Sequence, residues 1–137
     1  MARALSIDYG KKRTGIAVTD PLQLIASGLT TVNTYELVPF IENYLRNEEV
    51  STIVIGEPKQ MNGEPSELGD VIDAFAKALQ EKYPSIEITR VDERFTSKMA
   101  FQTMIDSGLS KSKRRNKALV DEIAATIILQ TFLDSKM

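Results

Sequence analysis

The stretch Ser6-Ile7-Asp8-Tyr9-Gly10-Lys11-Lys12-Arg13-Thr14-Gly15-Ile16-Ala17-Val18 decides how the rest of the chain is read. Two short apolar runs flank a polar turn bounded by glycines, and that pattern predicts a β-hairpin. Asp8 then closes the first strand at the lip of a sheet, beside a turn carrying the consecutive cations Lys11, Lys12 and Arg13. A carboxylate next to a flexible basic turn suits a metal ion and a phosphate held together. The plainer alternative is an Asp that caps a turn.

Working outward, residues 3–8 and 15–19 supply the hairpin strands, Asp20-Pro21 turns the chain, and Ile25–Val32 adds a third antiparallel strand. Asn33 or Thr34 is the expected cap of a helix whose Leu37, Phe40, Ile41, Tyr44 and Leu45 repeat at helical spacing. Pro39 falls early enough in it to be tolerated. Thr52-Ile53-Val54-Ile55 is a continuous β-branched run, the signature of a parallel strand buried on both faces. After a loop to Pro65, Ser66 is the expected cap of a helix carrying Leu68, Val71, Ile72, Phe75, Leu79 and Tyr83, which Pro84 stops. Ile86–Val91 reads as a fifth strand, and its charged Glu87 and Arg90 put it near an edge. Thr96 or Ser97 then opens a short helix closed by Gly108. The basic segment Leu109–Asn116 is expected to be mobile, and a last helix runs from about Lys117 to Leu133. The order βββαβαβαα predicts an α/β domain over residues 1–137. Its single five-stranded mixed sheet has strands 1–3 antiparallel and strands 1, 4 and 5 parallel, with helices on its flanks.

Composition bounds the chemistry. A chain of 137 residues with 42% apolar and 26% charged residues suits one ordinary globular domain. No apolar run approaches the ~20 residues of a membrane span, and no signal-peptide core is seen near the N-terminus. The expectation is therefore a cytoplasmic protein with no membrane partner. With no Cys there is no disulfide or thiolate chemistry, and with no His the commonest general base and nearly every zinc site are excluded. The remaining hard oxygen ligands, carboxylates, favour Mg²⁺ or Mn²⁺.

Charge is distributed unevenly around a net value of −2. Between Lys98 and Lys117 lie Lys111, Lys113, Arg114 and Arg115, with Asp106 the only anion; acidic residues gather instead in 36–49 and 57–81. One basic face for a polyanion follows. Against it, three acidic positions stand where a sheet opens. Asp8 closes strand one, Glu93 follows strand five, and Asp121 shares a helical face with the small or apolar Ala124, Ala125 and Ile128. The C-terminal ends of parallel strands are the usual ligand edge of an open α/β sheet. Three carboxylates gathered there would repel without a cation. Two divalent ions ~4 Å apart would give the cluster a use, activating water and steadying a leaving phosphodiester oxygen. For Asp121 the alternative is a satisfied acid near a helix N-terminus.

At this point Asp8-Tyr9-Gly10, Gly15, the Gly56-x-Pro58 turn, Asp92-Glu93-Arg94-Phe95-Thr96-Ser97 and Lys117-x-x-x-Asp121-x-x-Ala124-Ala125 resemble, in order and over the whole chain, the YqgF (RuvX) family of RNase H-like fold, related to Holliday junction resolvases. The resemblance implies an endonuclease that processes the 5′ end of pre-16S ribosomal RNA with Mg²⁺ or Mn²⁺. Its substrate would be met free or on ribosomal particles, by a monomer or a homodimer. It also implies Asp8, Glu93 and Asp121 as metal ligands, with Arg94, Thr96 and Lys117 as supporting polar groups. One departure is Glu57, where the family usually has an apolar residue; it is a fourth ligand or, as favoured here, a solvent-facing bystander. Two other readings stand behind the nuclease acting on RNA or on branched DNA. One is a non-catalytic module that binds nucleic acid or a ribosome or transcription partner, and the other an actin-like phosphotransferase, for which the chain is too short.

Overall fold

The computed structural model describes residues 2–57, 68–92 and 116–136. Five strands form one sheet: β1 (Arg3–Asp8), β2 (Arg13–Thr19), β3 (Ala26–Asn33), β4 (Val50–Glu57) and β5 (Glu87–Asp92), in the order β3-β2-β1-β4-β5. β1 pairs β2 and β2 pairs β3 antiparallel, while β1 pairs β4 and β4 pairs β5 parallel. This is the mixed sheet of the RNase H-like fold, with β5 on an edge as its charges suggest. Among the described residues, three helices, α1 (Leu37–Asn47), α2 (Gly69–Lys82) and α3 (Lys117–Ser135), accompany the sheet. The helix expected after Thr96 lies outside the described residues, as do Ser66 and all of the basic segment but Asn116.

The strand alternation splits the interior in two. Leu5, Ile7, Ile16, Ile53 and Ile55 face Leu37 and Ile41 of α1 and Ile72 and Leu79 of α2. Fully burying one such aliphatic side chain contributes about 1.5–3 kcal/mol, so this face carries most of the apolar stabilisation. The opposite face is lined by Ala4, Ala17 and Val54 and is covered by Ala125, Ile128, Leu129, Phe132 and Leu133 of α3. Thr52-Ile53-Val54-Ile55 is buried throughout because it serves both cores.

Three local expectations change. β2 starts at Arg13, so the turn spans only residues 9–12 and Arg13 belongs to the strand. The turn is fastened from afar: Thr34 donates its backbone N–H to the Lys12 carbonyl at 2.9 Å and its hydroxyl to the Gly10 carbonyl at 2.6 Å. Those bonds spend Thr34 outside any helix cap. Asn33 does not cap a helix either, because its amide donates to Glu36 Oε1 at 3.2 Å, and a short 3-10 turn over Thr34–Glu36 precedes α1. α3 is instead capped by Asn116, whose side chain accepts from the Leu119 N–H at 3.2 Å.

Candidate metal and nucleic-acid site

Asp8 and Asp121 are brought together by Gly15. In the hairpin ladder Asp8 stands directly opposite Gly15, and α3 lies so close over Gly15 that a Cβ there would collide with the Asp121 carbonyl. One glycine thus touches both acidic positions, one through the ladder and one through the packed helix. Gly10 is also restricted, since a Cβ would strike the Arg13 carbonyl across the turn. The close approach of α3 continues along β1, where the buried Ser6 hydroxyl donates to the Ala125 carbonyl at 2.6 Å. At the β3 edge, Thr31 donates in the same way to Ala118 at 2.6 Å. Small side chains and short hydroxyl bonds to the helix backbone bring α3 onto this face.

Alternation assigns the faces. Ala4 packs on α3 and Ser6 bonds to it, so Asp8, two residues further along, points to the α3 side. Arg13 is on that side too, two residues from Gly15, and its Nε donates to Asp121 Oδ2 at 2.9 Å. Both side chains remain partly exposed, 37% for Arg13 and 24% for Asp121, so solvent reaches the pair. Lys117 sits one helical turn before Asp121 and is exposed. Lys11 and Lys12 are exposed at the turn.

Glu57 has the opposite placement. It shares parity with Ile53 and Ile55, which face α1 and α2, and is paired in register with Asp92. Asp8, Glu57 and Asp92 each already engage a neighbour. Glu93, Arg94, Thr96, Lys111, Lys113, Arg114 and Arg115 lie outside the described residues. Among the described residues no three carboxylate, imidazole or thiol groups gather into a metal cage. The Asp8 and Asp121 positions still fit a hard divalent ion by donor type, and Asp121 already attracts a cation in the form of Arg13. The Arg13–Asp121 pair escapes a sequence reading because it joins residues 108 apart in the chain.

The RuvX family, described as Holliday junction resolvase, matches residues 2–135. A protein of Flavobacterium johnsoniae is 61% identical over 99% of both chains, and one of Flavobacterium psychrophilum is 59% identical over the full length of both. A Bacteroides thetaiotaomicron protein is 58% identical over 99% of both. All three bear the name "Putative pre-16S rRNA nuclease". With a family match across nearly all of its length and relatives at this identity, the chain belongs to the RuvX family.

Proposed function

We propose that the protein is a metal-dependent endonuclease that hydrolyses phosphodiester bonds and matures the 5′ end of pre-16S ribosomal RNA. The observation that carries this reading is the convergence of Asp8 and Asp121 on Gly15 at the edge where β1, β4 and β5 end. Glu93 is the third acid of the proposal; in the sequence it directly follows Asp92, the last residue of β5. Glu57 sits on the other face, which supports a site of three acids rather than four.

Asp8, Glu93 and Asp121 would hold one or two Mg²⁺ or Mn²⁺ ions through carboxylate oxygens. When bound, such ions lower the pKa of a coordinated water and stabilise charge on the phosphodiester. Lys11, Lys12 and Lys117, with Lys111, Lys113, Arg114 and Arg115, take the flanking phosphates and set the register of the backbone. Arg94 would steady negative charge at phosphorus, with Thr96 as a supporting hydrogen-bonding group. Precursor rRNA is favoured over four-way DNA because relatives near 60% identity carry the rRNA name.

The test is a cleavage assay on labelled precursor 16S rRNA and on a four-way DNA junction, each with and without Mn²⁺. The expected result is Mn²⁺-dependent cutting of the RNA, lost in Asp8→Asn while its melting temperature and RNA affinity stay near wild type. Full activity of that variant would overturn the proposed site. Cutting of the junction alone would move the substrate to branched DNA.

A further inference from the structure

We infer that Arg13 is an exchangeable counter-ion: it holds Asp121 when no metal is bound and turns to a backbone phosphate when a metal takes its place, so that metal and RNA binding reinforce each other. This rests on the metal-site reading above and adds to it a coupling residue.

The argument starts from position. Arg13 opens β2 and shares a strand face with Gly15, the residue on which the Asp121 backbone is packed. The pairing is therefore set by the rigid part of the fold, not by chance contact of two long side chains. Its Nε–Oδ2 distance of 2.9 Å makes it a charge-assisted hydrogen bond. Asp8 points to the same face, so an uncompensated Asp121 would meet a like charge; the guanidinium relieves that repulsion.

A divalent ion would compete with Arg13 for the charge of the same Asp121 carboxylate. Arg13 can yield by swinging away, and its partial exposure leaves it room to do so. Once released it stands beside Lys11 and Lys12 on the hairpin, and its planar fork of donors matches a phosphate. Linkage then works both ways: metal frees Arg13 for RNA, and RNA holding Arg13 favours metal by the same factor.

The experiment titrates the full chain with Mn²⁺ alone, reading the free-ion EPR signal, for wild type, Arg13→Gln, Lys12→Gln and Asp121→Asn. Lys12→Gln removes the same charge from the adjacent position and has no bond to Asp121 among the described contacts, so it measures the general field effect. Arg13→Gln should bind Mn²⁺ about two- to five-fold more tightly than Lys12→Gln, the range that a partly exposed ion pair allows. If Arg13→Gln does not fold, Arg13→Lys carries the same test with a smaller shift in the same direction. A second readout is the affinity for a hydrolysis-resistant 2′-O-methyl RNA. Mn²⁺ should tighten it in wild type and in Lys12→Gln, and by much less in Arg13→Gln. Equal Mn²⁺ affinities and equal RNA gains in the two Gln variants would overturn the exchange. A wild type with no Mn²⁺ site that Asp121→Asn removes would instead overturn the metal-site reading beneath it.

Discussion

The two faces of the sheet are built on opposite rules. On the α1/α2 side, large aliphatic residues such as Leu5, Ile7, Ile53, Ile55 and Ile72 fill the space between layers. On the α3 side, next to the site, the strands present Ser6, Gly15 and Ala17 and the helix answers with Ala124 and Ala125, and the large Ile128, Leu129, Phe132 and Leu133 come only further along α3. The first face gains stability from volume. The second gives up volume for proximity, and that lets Asp121 reach the strand edge where Asp8 ends β1. An acid carried on a helix reaches the end of a strand only where the side chains between the layers are small.

The contrast predicts which variants harm which property. The largest stability loss belongs to the first face: Ile53→Ala should cost about 2–5 kcal/mol in urea unfolding, while the fraction that remains folded cuts RNA at the wild-type rate. On the second face, Gly15→Ala should cost about 1–3 kcal/mol by pushing α3 away, and its activity should fall further than its folded fraction explains. Activity that merely tracks the folded fraction would show that the close approach serves packing alone. Ser6→Ala removes a buried hydrogen bond to α3 and leaves the Ala125 carbonyl with one bond fewer, so about 1 kcal/mol is expected from thermal melts.

The smallest effect lies at the far end of the sheet, away from the site. There Asp20 organises the β2–β3 loop by accepting from the N–H groups of Ile25 at 2.8 Å, Leu24 at 2.9 Å and Leu22 at 3.1 Å. The bond from Ile25 foremost holds its carboxyl below the ordinary aspartate value; desolvation opposes it, and the bonds from Leu24 and Leu22 add to the lowering. A depressed folded-state pKa stabilises above the unfolded value and ceases to do so as pH falls through the folded one. The melting-temperature difference between wild type and Asp20→Asn should accordingly be full at neutral pH and shrink in acid. A difference that does not change with pH would show that the charge is irrelevant to the loop.

Much of this architecture could be read from the chain because it is local. The β-branched run at 52–55, the helical spacing of Leu37, Ile41 and Tyr44, and the edge charges of β5 each report their own surroundings. What escaped was non-local. Arg13 looked like part of the turn because three cations stand in a row; only the bonds from Thr34 to Gly10 and Lys12 fix where the turn ends. Gly15 bounds the turn in the sequence pattern, whereas its place is under a helix more than a hundred residues later. Asn116, the cap of α3, was read as the end of a basic loop, although its spacing to Leu119 carried the signal. Asp8 does end β1 and Asp121 does lie on the last helix, over Gly15. Glu57 could not be assigned from residue type, and it takes the strand alternation to place it on the α1/α2 side.

The account depends on Asp8 and Asp121 serving one cation together, and a double-mutant cycle on Mn²⁺ affinity tests that most directly. Asp8→Asn and Asp121→Asn should each remove most of the binding, and the double variant should lose little more than either one, since a shared site is already broken by the first change. Strictly additive losses in the double variant would mean that the two acids bind independently, and would contradict a common metal site at the edge of the sheet.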